Sequence, residues 1–158
     1  MGVRRMVLAL VAAAVALGQV GNATETPYTA QYQIVDAEPS GDYVQVVLLV
    51  RVQNNTHSHA LSATVALVNG DPGDEDPEEP DDAPVQTFGR FPAFDLDPHS
   101  ATRTMRDRFV ITPAEYDRWT SGEPPVLQMA FHDNDGVRRR KVLSLISVSN
   151  LDDPASDR

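Results

Sequence analysis

The residues best equipped for chemistry in this 158-residue chain are four histidines, His57, His59, His99 and His132, and three nearby carboxylates, Asp97, Asp133 and Asp135. Imidazole nitrogens and carboxylate oxygens suit zinc or copper, so convergence of these side chains would build a metal site. No zinc spacing rule is met, by His57-Ser58-His59 or by the rest, and convergence therefore depends on the fold. Cysteine is absent, which removes thiolate ligands, a thiol nucleophile and disulfides together. The chain also lacks a Gly-x-Ser-x-Gly elbow, a His-Glu-x-x-His pair, a phosphate-binding loop and a dinucleotide fingerprint. These residues point to a non-catalytic protein that binds either a partner or a metal.

The elements that must position the histidines follow from period-two alternation, which puts successive side chains on opposite faces of a sheet. Between Asp42 and Gln53, Val44, Val46, Leu48, Val50 and Val52 share one face, with Tyr43, Gln45, Arg51 and Gln53 on the other. Before this strand, Ala30, Tyr32 and Ile34 alternate with Gln31 and Gln33 and end at a Glu38-Pro39-Ser40-Gly41 turn. After it, Asn54-Asn55-Thr56-His57-Ser58 breaks the pattern, and Leu61, Ala63, Val65 and Leu67 make a third strand. Val85 to Leu96 reads as a short edge strand interrupted by Gly89 and Pro92. Ala101 to Thr112 is the fifth strand, with Met105, Phe109 and Ile111 inward and Asp107 spoiling the inner face, through a bulge or by pairing with an arginine. Thr112-Pro113-Ala114-Glu115 signals a short helix, stopped by Ser121-Gly122-Glu123-Pro124-Pro125, whose Tyr116 and Trp119 plug the end of the core. Leu127, Met129 and Phe131 form the sixth strand, Asp133-Asn134-Asp135-Gly136 a hairpin turn, and Val137 to Val148 the seventh strand.

Seven short strands with one helical turn between the fifth and sixth predict an all-β domain, a single β-sandwich of immunoglobulin or fibronectin type III kind. Val50-Arg51-Val52-Gln53-Asn54-Asn55-Thr56 leading to Leu61-Ser62-Ala63-Thr64-Val65-Ala66-Leu67, and later Leu96-Asp97-Pro98-His99-Ser100, carry a further resemblance. Over Thr29 to Val148 the chain resembles bacterial extracytoplasmic immunoglobulin-like modules, with His99 where that family's turn usually has glycine. The resemblance implies the architecture and a binding or spacer role, and carries over no functional residue.

Strands that reverse direction one after another place alternate loops at the same end of a sandwich. The loops after the second, fourth and sixth strands hold His57 and His59, His99, and His132, so all four histidines are expected at one pole. The opposite pole would gather Glu38, Asp42, the Tyr116/Trp119 turn and the acidic, proline-rich loop 71–84. That loop lacks the order of ligands that wraps calcium, and its density of proline and like charge predicts a solvated insertion. Arg138 to Lys141 is a basic run that alternation splits between two faces, which suits an exposed strand protected against edge pairing.

Residues 1–23 have the form of a secretory signal peptide: Arg4 and Arg5, an apolar run from Met6 to Leu17, and small residues at Gly18, Gly21 and Ala23. The run is about a dozen residues, against the roughly 20 that span a bilayer, so a cleaved leader is expected with no stable membrane insertion afterwards. The domain then covers 24–150, with 151–158 as a disordered tail. A net charge of −10 repels phosphate backbones and argues against nucleic acid as a partner. The sequence thus predicts an exported module, periplasmic or extracellular, that binds a protein in the cell envelope or braces an assembly there. The competing reading is a periplasmic zinc or copper protein using His57, His59, His99 and His132.

Overall fold

Each alternating segment forms a strand where the sequence places one. The computed structural model describes residues 26–70 and 86–154; the expected leader 1–23, the acidic loop 71–84 and the last residues of the tail, 155–158, lie outside them. In chain order the elements are β1 (Tyr28–Ser40), β2 (Tyr43–Asn54), β3 (Ala60–Val68), β4 (Thr87–Leu96), β5 (Ala101–Ile111), α1 (Pro113–Thr120), β6 (Val126–His132) and β7 (Arg138–Ser147). β1 runs further than the alternation of Ala30 to Ile34 indicates, because a register shift between Ile34 and Asp36 interrupts the pattern without ending the strand. It turns through Gly41, whose φ of 62° lies in the left-handed region that glycine enters freely.

The pairings fix every strand's direction. β1 is antiparallel to β2, β2 to β5, β3 to β4 and β6, and β6 to β7, while β1 and β7 run parallel. Successive strands therefore alternate in direction along the whole chain. The all-β class and the single short helix are as expected, but two separate sheets are not what the hydrogen bonds describe. β7 pairs with β6 through Arg138–Ser144 and then with β1 through Leu145–Ser147. This joins all seven strands into one mixed sheet, ordered β4-β3-β6-β7-β1-β2-β5. Its outer strands β4 and β5 meet where Phe91 packs edge-on against Phe109, ring centroids 5.6 Å apart, so the sheet nearly closes into a barrel.

The barrel interior is the core. Val46, Leu48, Val50 and Val52 of β2 face Tyr32, Val65, Leu67, Leu127 and Met129, all buried. Helix α1 closes one end as its sequence indicates: Thr112 Oγ1 accepts from Glu115 N at 3.2 Å, Pro113 starts the first turn, and Trp119 is fully buried. Trp119 meets Phe88 edge-on at 5.2 Å and its carbonyl accepts the Tyr32 hydroxyl at 2.8 Å, which ties the plug to β4 and β1. No arginine of the described residues pairs with Asp107; its Oδ1 accepts the N–H of Arg108, and it is half-buried. No helix of the described residues is long and apolar enough to cross a membrane.

The tail departs from expectation. Leu151 is buried, its N–H donates to Gln33 Oε1 at 2.8 Å, and Asp152 pairs with Arg51 at 3.0 Å. Asp153 pairs with Arg106. Residues 151–154 are thus packed rather than free, because an apolar side chain and two carboxylates find partners on the outward face of β1, β2 and β5.

Candidate functional site

The pole that carries the histidines is organised by Asn54, the last residue of β2 and 0 % exposed. A buried amide is costly unless its donors and acceptors are met, and here they are. Asn54 Nδ2 donates to Ser58 O at 2.8 Å and to Leu96 O at 3.4 Å; Oδ1 accepts from Thr56 N at 3.0 Å and Thr56 Oγ1 at 2.7 Å. The β2–β3 loop is thereby curled onto itself, and it in turn holds the other two loops. His99 N donates to Thr56 O at 3.0 Å and Ser100 N to Asn54 O at 2.7 Å, which fixes the β4–β5 turn. His59 N donates to Asn134 Oδ1 at 3.0 Å, and Asn134 N to Ser58 Oγ at 3.4 Å, which fixes the β6–β7 hairpin. Beneath them Tyr28 packs against Phe131, ring centroids 5.1 Å apart, and burial raises its phenol pKa against the lowering effect of a hydrogen bond with Thr56.

The β4–β5 turn is strained. His99 and Ser100 have φ of 61° and 67°, the left-handed region that glycine occupies without cost and other residues occupy at about 1 kcal/mol or more. Such strain persists only where the surroundings hold it, and the two amide bonds to Thr56 O and Asn54 O do so. This backbone sets the His99 ring against His57, centroids 5.0 Å apart and planes inclined by 62°. His59 Nδ1 lies 3.1 Å from Asp97 Oδ1, with both side chains substantially exposed.

The alternation of strands therefore places the four histidines at one pole, where three of them enter two side-chain pairs and the fourth stands apart. His57 meets His99, His59 meets Asp97, and His132 stands at the end of β6, in register with Leu61 and Arg138. Among the described residues no three histidine, aspartate or glutamate side chains form a group that could hold a metal ion. Asp133, read from sequence as a turn residue, is buried and fully engaged. Its Oδ2 accepts Arg139 Nε at 2.8 Å, and its Oδ1 accepts Val137 N at 2.9 Å and Asp135 N at 3.1 Å. Arg139 is the largest reason that the Asp133 carboxyl titrates below the usual range; the two backbone donors add to it and burial opposes it. Sequence reasoning missed Asn54 and Asp133 as structural centres, since Asn and Asp at strand ends signal turns whether or not their side chains become buried. The run Arg138 to Lys141 is exposed, as expected, but β7 lies between β6 and β1 in the sheet order rather than at an edge, because its C-terminal half pairs with β1.

The pole can offer a partner imidazole donors and acceptors on a fixed frame. Among the described residues, Ser58 Oγ donates to His59 O at 3.5 Å and Ser100 Oγ to Asn55 Oδ1 at 3.4 Å.

The sequence matches no family model and no curated protein. Solved structures are similar to it at low identity, among them the following. A GH20 exo-β-N-acetylglucosaminidase from Vibrio harveyi, in complex with N-acetylglucosamine, is 10% identical with a TM-score of 0.45, over 79% of this chain and 19% of that one. An inactive mutant of the Vibrio harveyi enzyme gives 11% and 0.44 over the same shares. The structural-genomics target SoR45 gives 6% and 0.40, over 78% of this chain and 88% of that one. The chain thus spans about a fifth of the length of the glycosidase chains it matches.

Proposed function

We propose that this chain is an exported, non-catalytic β-module that binds a protein partner in the cell envelope, in the periplasm or outside the cell, through its histidine-bearing pole. One observation carries the reading: three loops are cross-bonded around the buried amide of Asn54, so that His57, His59, His99 and Asp97 are presented at the surface in fixed positions. Binding residues on loops held by a rigid scaffold are a common solution for recognition modules, because ordering is completed on folding rather than on binding. The strained turn under His99 supports it further, since strain that folding alone does not need tends to gather at functional positions.

The architecture is read as a fibronectin type III variant. β5-β2-β1 and β4-β3-β6-β7 form two arcs of the sheet, whose strand pairing joins them through the short parallel contact of β7 with β1. Export rests on the form of residues 1–23. A zinc or copper role would require a third ligand beside the His57–His99 pair.

A photo-cross-linking residue placed at His57 or His99, compared with one at Gly122 near the end of α1, tests the reading in cells. A specific adduct from the histidine pole that is absent from the Gly122 position supports it. The same adducts from both positions, or a protein retained in the cytoplasm with residues 1–23 intact, would overturn it.

A further inference from the structure

The two edges of the sheet do not pair along their whole length. Phe91 and Phe109 hold β4 and β5 together at one level, and beside Pro92 the seam opens. A groove of about 370 Å³ results, lined by Pro92, Phe94, Arg103, Met105, Arg106 and Pro154. Along it β5 is paired to β2 on one side only, so its other edge presents backbone donors and acceptors.

The chain's own C-terminal segment leads into this groove. Leaving β7, Val148 N donates to Tyr32 O at 3.0 Å, and Leu151 N to Gln33 Oε1. Asp152 then pairs with Arg51, Asp153 with Arg106, and Pro154 reaches the groove lining. The segment crosses β1, β2 and β5 in turn and passes over Leu49, which lies in register between Gln33 and Arg106. This accounts for Leu49 being 1 % exposed although it alternates with the inward-facing Leu48.

Three features make this segment a stand-in for a ligand rather than a permanent seal. The Asp152 side chain is fully exposed in its pair with Arg51, and so open a charge pair holds weakly. The groove remains open beside Pro154. Arg103, on the groove wall, lies 6.0 Å over the Phe94 ring, and no carboxylate of the described residues pairs with it. In a chain of net charge −10, the groove wall carries two arginines, Arg103 and Arg106, the second of them paired with Asp153.

We propose that the β4–β5 seam is a docking groove for an acidic, proline-containing extended segment of another protein, and that Leu151–Pro154 is a built-in competitor for it. The incoming chain would use the β5 edge for backbone hydrogen bonds and the arginines for its carboxylates, the strand-addition mode of peptide recognition. This site is separate from the histidine pole, and its test does not depend on that pole.

The probe is a fluorescein-labelled peptide of sequence Ser-Asn-Leu-Asp-Asp-Pro-Ala, titrated with the full-length chain at low salt and read by anisotropy. The paired substitutions Asp152→Asn and Asp153→Asn loosen the segment and are expected to tighten peptide binding about fivefold, the weight of a half-exposed charge pair. Adding Arg103→Gln or Arg106→Gln to that background should weaken it by about the same factor, and a peptide with both aspartates changed to asparagine should not bind. Absence of saturable binding to the loosened chain with a native melting transition would overturn the proposal, as would binding indifferent to either arginine. Doubling of the mass on loosening, without peptide, would name a second copy's tail as the occupant and overturn it too. On the unsubstituted chain, millimolar peptide must shift the amide resonances of Phe94, Arg103 and Leu151; shifts confined to His57 and His59 would refute the assignment.

Discussion

Replacing Asn54 tests whether the histidine pole is built as described. Asn54→Ala removes two close bonds, Nδ2 to Ser58 O at 2.8 Å and Oδ1 from Thr56 Oγ1 at 2.7 Å, and strands the Thr56 N–H that Oδ1 also accepts. Two hydrogen bonds at about 1 kcal/mol each, plus about 1 kcal/mol or more for the stranded donor, give a loss of about 3 kcal/mol. For a domain of this size that lowers the melting temperature by roughly 10 °C. Urea unfolding followed by the single tryptophan, Trp119, measures it, because that ring is fully buried and far along the core from the loop. Asn54→Asp adds a sign to the argument. A carboxyl there would face the carbonyls of Ser58 and Leu96 in a buried site, which raises its pKa, with the two Thr56 donors opposing the rise. Its protonated form can still donate one hydrogen bond, so the variant is close to native in stability below pH of about 4 and loses stability as pH rises through the elevated pKa. A loss under about 1 kcal/mol for Asn54→Ala with an unchanged m-value, or a deficit of Asn54→Asp relative to the unsubstituted chain that is smaller at pH 7 than at pH 4, would refute the account.

Asp133 gives the opposite pH dependence. Its pKa is lowered in the folded state, so the stability it adds is present above the ordinary carboxylate pKa and disappears as pH falls through the lowered value; the melting temperature of Asp133→Asn should fall less on acidification than that of the unsubstituted chain. Gly89→Ala would put a β-carbon inside contact distance of the Phe109 ring, with Cδ1 at 2.7 Å, and should cost about 1–3 kcal/mol in urea unfolding, partly recovered by Phe109→Leu. Calorimetric titration with Zn²⁺ and Cu²⁺ should give no melting shift at micromolar metal, since the pole's side chains meet in pairs; a shift abolished by His57→Ala with His99→Ala would restore the metal reading.

The sequence made the strands legible because alternation is local: Val44 to Val52 declares a strand with one inward face before any partner is known. It also declared the histidine pole, since alternating direction needs only the count of strands. What it could not declare depends on contacts far apart in the chain. The parallel pairing of Leu145–Ser147 with β1, which turns two arcs into one sheet, has no local signature. Leu49 is buried on the reverse face of β2, in register between Gln33 and Arg106, the residues bonded by a C-terminal segment whose apolar Leu151 shows no periodicity. Asn54 and Asp133 follow the composition rules for turns and are turn residues, but they are also buried, because three loops lie over one another at that pole.

His99 is where a sequence oddity and a backbone oddity coincide. The left-handed region favours glycine, and the residue that occupies it here is a histidine with a φ of 61°. If the strain is retained for the ring, removing ring and strain should separate. His99→Ala keeps the left-handed backbone with a β-carbon and loses the contact with His57; His99→Gly loses the same contact and relieves the strain, by about 1–2 kcal/mol before the greater freedom of glycine in the unfolded chain takes back about half. The glycine variant should therefore be the more stable of the two by about 1 kcal/mol in urea unfolding. Partner cross-linking from the pole should fall equally in both, because each lacks the imidazole. An alanine variant as stable as the glycine one would mean that the turn carries no strain, and the choice of histidine at this position would then say nothing about function.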